Sequence, residues 1–195
     1  KLDLSTWKPS SGKTFNSMFS DCGKLNLDKD ALDNWDMSSA VKINHMFYGC
    51  KSQVELNLSG WNMPNLITTT HMFADCSSLK TVDFSDWNTP SLISLDCIFN
   101  DCTSLEYLDM GDADTQNVTE FSQMFERCTS LRRVDGLENW STAKSGTFVE
   151  MFLDCHSLEE LNWSSFDTTA AYNNYYDTNN SYSKAFNPIF SGVNN

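Results

Sequence analysis

One pattern governs this chain: a Met-Phe pair with a cysteine three residues after the Phe. It stands at Met18-Phe19…Cys22, Met46-Phe47…Cys50, Met72-Phe73…Cys76 and Met124-Phe125…Cys128. Ile98-Phe99…Cys102 and Met151-Phe152…Cys155 bring the copies to six, with cysteine intervals of 28, 26, 26, 26 and 27 residues. Eleven residues ahead of each pair stands Trp7, Trp35, Trp61, Trp87 or Trp140, with Ala113 the exception, and Phe166 extends the series. A weaker seventh anchor, Ile189-Phe190 with Val193, follows an insertion. A unit this short cannot enclose its own core, so successive copies must stack and share one.

Two periodicities run inside each copy. Phe15, Met18, Phe19 and Cys22 are spaced i, i+3, i+4, i+7, as are Ile43, Met46, Phe47, Cys50 and Phe121, Met124, Phe125, Cys128. That spacing predicts a short amphipathic helix. Leu56-Asn57-Leu58, Val82-Asp83-Phe84, Leu108-Asp109-Met110 and Leu161-Asn162-Trp163 alternate, which predicts short half-buried strands. Turn residues such as Asp36, Asn62-Met63-Pro64 and Asn88-Thr89-Pro90 separate the two. The expected fold is an α/β solenoid of about six to seven 26-residue coils, each a short strand plus a short helix, with a parallel sheet on one face. A single repeat domain is expected over residues 1–195: regular coils to 168, a Tyr/Asn-rich insertion at 169–184, and a degenerate coil or cap at 185–195.

The copy Cys76-Ser77-Ser78-Leu79…Val82-Asp83-Phe84-Ser85-Asp86-Trp87-Asn88-Thr89 resembles the 26-residue repeat of bacterial surface proteins, within the BspA-like leucine-rich repeats. The resemblance covers residues 1 to about 168. It implies a right-handed leucine-rich solenoid, display at the cell surface and, as in some members, adhesion to host or neighbouring cells, with no catalytic residues to carry over. The chain departs from the pattern at Ala113, at the extra residue Gly136-Leu137, near residues 24–30 and through the insertion.

Charge and chemistry narrow the function. Thirteen basic against 26 acidic residues leave a net charge of −13, which would repel phosphates rather than neutralise them, so no nucleic-acid partner is expected. No stretch approaches the roughly 20 apolar residues of a membrane span. Six of the seven cysteines end the apolar stripe. They suit either a bridge ladder between coils or small buried hydrophobes, and the odd total and common direction favour the second. His45, His71 and Cys97 recur at 26-residue intervals and invite zinc or copper, yet Gln123 and Glu150 continue the column without ligand preference. Asp83, Asp109 and Asp135 line up with Asn57 and Asn162; calcium is one reading, hydrogen bonds between neighbouring strands the other. No metal or cofactor is assigned. Gly12-Lys13-Thr14 and Ser141-x-x-Lys144 mimic catalytic motifs without their companions. Residues repeated in every coil build a wall, whereas a reaction centre needs unique groups converging, so an enzyme is not expected. Sequons at Asn57, Asn117, Asn139, Asn162 and Asn179 leave glycosylation open.

The wall itself is the candidate binding site. Alternation puts Lys1, Asp3 and Ser5, then Lys24 and Asn26, at its start. Glu55, Thr81, Tyr107, Arg133 and Glu160 form an outer column that changes from coil to coil beside the constant Asp83, Asp109 and Asp135 column. Tyr172, Tyr175 and Tyr176, with Tyr182, make the insertion a second candidate, since aromatic-plus-polar segments suit binding loops. The expected function is a non-catalytic extracellular or cell-surface module that binds a protein or glycan. The alternative is a structural subunit whose faces or ends contact neighbouring subunits of a filament, coat or larger complex.

Overall fold

The computed structural model describes residues 2–4, 6–85, 87–111 and 113–170. Each alternating segment is a strand of two or three residues: β1 (Glu55–Asn57), β2 (Thr81–Asp83), β3 (Tyr107–Asp109), β4 (Arg133–Asp135) and β5 (Glu160–Leu161). They pair in parallel at the repeat spacing, Leu56 with Val82, Leu108 with Val134, and Val134 with Leu161. The strands divide into a β1-β2 sheet and a β3-β4-β5 sheet. A single central side chain per strand points inward, and Leu56, Val82, Leu108 and Val134 are all buried.

The helical expectation fails. No α-helix occurs at any of the Met-Phe segments. Two residues in each copy, four apart, take positive φ: Ser17 and Asp21, His71 and Asp75, Cys97 and Asp101, Gln123 and Arg127, Glu150 and Asp154, with His45 and Gly49 likewise. A left-handed residue at every fourth position cannot continue a right-handed helix. The segment is instead a run of tight turns. Met18, Ser20 and Cys22 donate their N–H groups three residues back, to Phe15, Ser17 and Phe19 carbonyls. The residues between them donate across to the next coil: Phe15 to Lys42, Ser17 to Asn44, Phe19 to Met46 and Asp21 to Tyr48, at 2.7–2.9 Å. The apolar i, i+3, i+4, i+7 stripe is therefore the inner side of a tight bend. In the second coil the turns bring all four side chains, Ile43, Met46, Phe47 and Cys50, fully inward much as a helix would.

These cross-coil bonds form four continuous columns. One runs from Ser17 N–H to Asn44 O, His45 N–H to Thr70 O, His71 N–H to Asp96 O, Cys97 N–H to Ser122 O and Gln123 N–H to Val149 O. Each acceptor carbonyl shares a peptide unit with the next donor, so the peptides align head to tail through the stack, as they do along an α-helix.

Between the columns and the sheets lies the core. Phe19, Phe47, Phe73, Phe99, Phe125 and Phe152 stack with ring centroids 5.2–5.7 Å apart. Trp35 and Trp61 stack beside them at 6.1 Å. Ala113 interrupts the tryptophan series, and in the same coil Phe121 packs at 5.3 Å on Trp140 and 5.6 Å on Phe148. Each buried Phe contributes roughly 1.5–3 kcal/mol relative to exposure. The extra residue near Gly136 is absorbed by a 3₁₀ turn at Leu137–Asn139, which buries Leu137 completely.

No strand forms at residues 24–26, and none is present among described residues 2–4. The longer first interval displaces the chain, and the buried Gln53 side chain substitutes for a strand partner. Its Oε1 accepts the Leu27 N–H at 2.8 Å, and its Nε2 donates to the Leu27 and Glu55 carbonyls.

Candidate functional site

The outer column forms on the sheet as the register demands: Glu55 beside Thr81, and Tyr107 beside Arg133 beside Glu160, all exposed. The neighbouring Asp/Asn column stands one pleat along, Asn57 beside Asp83 and Asp109 beside Asp135. Most of its hydrogen bonds run along the chain, while the expected pairing between neighbouring strands occurs at Asp135, which accepts from Tyr107. Asn57 accepts from Ser59 N–H, Asp83 from Ser85, Asp109 from Gly111 and Asn162 from Ser164. Each carboxylate or amide thus closes the turn that ends its strand, an Asx turn. Turn closure occupies Asn57, Asp83, Asp109 and Asn162, whereas Asp135 is taken up by Tyr107 and Arg133. Among the described residues no group of three or more His, Cys, Asp or Glu is placed to hold a metal ion.

The two halves of the face differ in how their charges are used. Around β4, Asp135 accepts the Tyr107 hydroxyl at 2.8 Å and pairs with Arg133, which also reaches Glu160 at 3.7 Å. The Arg133 guanidinium and the Tyr107 hydroxyl hold the Asp135 carboxyl below its ordinary range, and donating to Asp135 raises the phenol of Tyr107. Arg132 meets Glu159, and Lys80 meets Glu106, in further exposed pairs. The β1–β3 half instead holds an open concavity of about 400 Å³ lined by Lys29, Asp30, Glu55, Asn57, Thr81, Asp83, Tyr107 and Asp109. Glu55, Asp83 and Asp109 make no ion pair among the described residues. Tyr107 is 43% exposed at the border between the halves. Lys29 and Asp30 stand where the sequence pattern placed Lys24 and Asn26. The 28-residue interval was the signal that the first coil slips. Tyr172, Tyr175 and Tyr176 lie outside the described residues.

The other tempting groups resolve into scaffold. All seven cysteines are free thiols. Cys50, Cys76, Cys102, Cys128 and Cys155 are buried and donate Sγ–H to the carbonyls of Phe19, Phe47, Phe73, Phe99 and Phe125 in the preceding coil, at 3.0–3.1 Å. Burial pushes Cys50 and Cys155 up to about 12, and Cys102 and Cys128 well above the ordinary thiol value. Such thiols are poor nucleophiles. His45 and His71 stack 4.9 Å apart with planes 5° from parallel. Cys97, at the same place one coil on, donates to Gln123, and Gln123 to Glu150, so the column continues as a hydrogen-bonded ladder. Desolvation, then the neighbouring His45, lowers the His71 pKa. Among the described residues, no helix is long and apolar enough to cross a membrane.

No curated protein matches the chain. A crystal structure of a leucine-rich repeat protein from Eubacterium ventriosum matches 64% of this chain at 19% identity with a TM-score of 0.48, and the matched part is 31% of that protein. This chain therefore spans well under two thirds of that relative's length. The family described as "Mycoplasma protein of unknown function, DUF285" matches residues 1–87 and again 93–189, nearly the whole sequence. With its copies paired coil on coil in parallel register, the chain is a repeat protein, and it belongs to this DUF285 family.

Proposed function

We propose that the chain is a non-catalytic binding module, a right-handed leucine-rich-repeat-like solenoid that offers its β1–β5 face to a protein or glycan outside the cell, as an adhesin does. The observation that carries this reading is the outer column: Glu55, Thr81, Tyr107, Arg133 and Glu160 differ in charge and shape yet all point outward from one repeated backbone frame. A fixed frame with changing side chains allows specificity to vary without disturbing the core, and Tyr and Arg are the types most enriched among residues that dominate interfaces. The concavity bordering Tyr107 gives a ligand a partly enclosed seat.

The test is a crosslinking pull-down with wild type beside a Tyr107→Ala/Arg133→Ala double variant. Recovery of a discrete protein or glycan by wild type, with loss in the variant, is the expected result. Equal recovery by both would remove the sheet face from the function.

A further inference from the structure

One junction inside the stack is joined firmly on one side only. β1 pairs with β2, and β3 with β4 and β5, but β2 and β3 share no register. The bonds that flank the other strand pairs weaken there too. Lys80 N–H donates to Val54 O at 2.8 Å and Arg132 N–H to Glu106 O at 2.9 Å, whereas Glu106 N–H reaches Lys80 O only at 3.4 Å. Leu58 N–H donates to Asp83 O and Met110 N–H to Asp135 O, yet the corresponding bond from Phe84 to Asp109 is not made among the described residues. The bend side of the same junction is fully bonded. Leu95, Cys97, Phe99 and Asp101 N–H groups donate to the Glu120, Ser122, Met124 and Glu126 carbonyls at 2.8–3.0 Å, and the Phe99 ring stacks on Phe125. Two departures from the repeat meet here. Phe84 stands where the neighbouring coils carry Leu58 and Met110, and its ring packs edge-on against Trp87 at 4.4 Å and Phe73 of the preceding coil at 6.2 Å. Ala113 stands where other coils carry tryptophan, so Trp87 meets no indole in the next coil, whereas Trp35 stacks on Trp61.

We propose that the β2–β3 junction is a hinge, on which the solenoid opens and closes along its sheet side while the bend columns keep the two halves joined. Phe84 ties the end of β2 back to the preceding coil, and the indole missing at Ala113 leaves less apolar surface to draw β3 toward it. A junction bonded along one edge and loose along the other opens about the bonded edge, as a sub-global motion of low cost. The concavity beside Tyr107 straddles this line: Glu55, Thr81 and Asp83 belong to one half, Tyr107 and Asp109 to the other. Opening widens that seat and closing narrows it, so one frame fits ligands of different girth. This consequence rests on the binding function proposed above, whereas the hinge itself does not.

The experiment needs no ligand, so its outcome is separate from that of the pull-down. It uses the 195-residue chain carrying Cys22→Ser, with nitroxide labels at Val54→Cys/Arg132→Cys on the sheet side or at Lys42→Cys/Glu120→Cys on the bend side. All four positions are exposed, and each pair is 78 residues apart (132 − 54 and 120 − 42) across the junction. The spin–spin distance distribution of the sheet-side pair is expected to be broader than that of the bend-side pair by about twofold or more, as opening at a sparsely bonded junction predicts. Phe84→Leu/Ala113→Trp, which restores the residues of neighbouring coils, should bring the sheet-side width down to the bend-side value. Equal widths without those two substitutions would overturn the hinge. A folded Phe84→Leu/Ala113→Trp chain with an unchanged sheet-side width would overturn its assignment to these two residues, and Ala113→Trp alone decides this if the double variant does not fold.

Discussion

At the scale of single residues, the column of cysteines shows how one side chain serves the stack twice. The sulfur fills a small apolar space, and its S–H caps a carbonyl that backbone geometry leaves half satisfied. Ionising such a thiol strips it of its donor in a fully buried place. These folded-state pKa values are raised, so the sign is clear: the stabilisation is complete below the ordinary thiol value of 9.0 and is lost as pH climbs toward about 12. Urea unfolding measured from pH 8 upward should show stability falling above pH 9, by up to about 1.4 kcal/mol per pH unit for each buried thiol. A Cys102→Ala/Cys128→Ala variant should start less stable and show a shallower decline. An unchanged slope would mean that these thiols are solvated. The same residues were legible in the sequence as small buried hydrophobes, since they close an apolar stripe. Their hydrogen-bond acceptors were not, because backbone carbonyls leave no mark in side-chain pattern.

At the scale of elements, the strands could be read and the bends could not. Alternation in Leu56-Asn57-Leu58 and its counterparts has one structural meaning, and β1 to β4 appear where it placed them. The i, i+3, i+4, i+7 stripe has two, because consecutive tight turns bring the same positions inward. The discriminating signal was present at the second left-handed site, occupied by Asp21, Gly49, Asp75, Asp101, Arg127 and Asp154. Asp and Gly are residues that tolerate positive φ. The other site, holding Ser17, His45, His71, Cys97, Gln123 and Glu150, has no Gly or Asp to mark it, and its N–H groups make the cross-coil bonds. The Asp/Asn column was found by register, but its role as turn closure depended on seeing which N–H groups it meets. Gly136 tests the element that absorbs the extra residue. Its φ is 85°, and a Cβ there would lie 2.6 Å from the Gly111 carbonyl oxygen. Gly136→Ala should cost about 2 kcal/mol or more, combining left-handed strain with displacement of the neighbouring coil. A denaturation midpoint equal to wild type would show that the 3₁₀ turn moves freely.

At the scale of the whole molecule, each coil is stable only through its neighbours, so damage should spread along the stack rather than stay at its origin. Trp61 is fully buried and sits between the Trp35 stack and the Leu32 carbonyl that accepts its indole N–H at 3.4 Å. Trp61→Ala should cost about 3–5 kcal/mol. Hydrogen exchange should then quicken at Phe47 and Phe73, in the bends just before and just after it in the chain, well before it does at Phe125. Uniform acceleration through all coils would instead indicate one indivisible cooperative unit.

The four peptide columns have a consequence for how such a protein can change over generations. Every junction uses the same donors, the same acceptors and the same direction, so no coil depends on its ordinal place in the stack. Duplication or loss of a coding segment for one whole coil leaves every remaining junction chemically intact, whereas a gain of one or two residues has to be absorbed in a turn outside the columns, as it is after Gly136. Length can therefore drift in whole coils while the surface along that length is rewritten residue by residue.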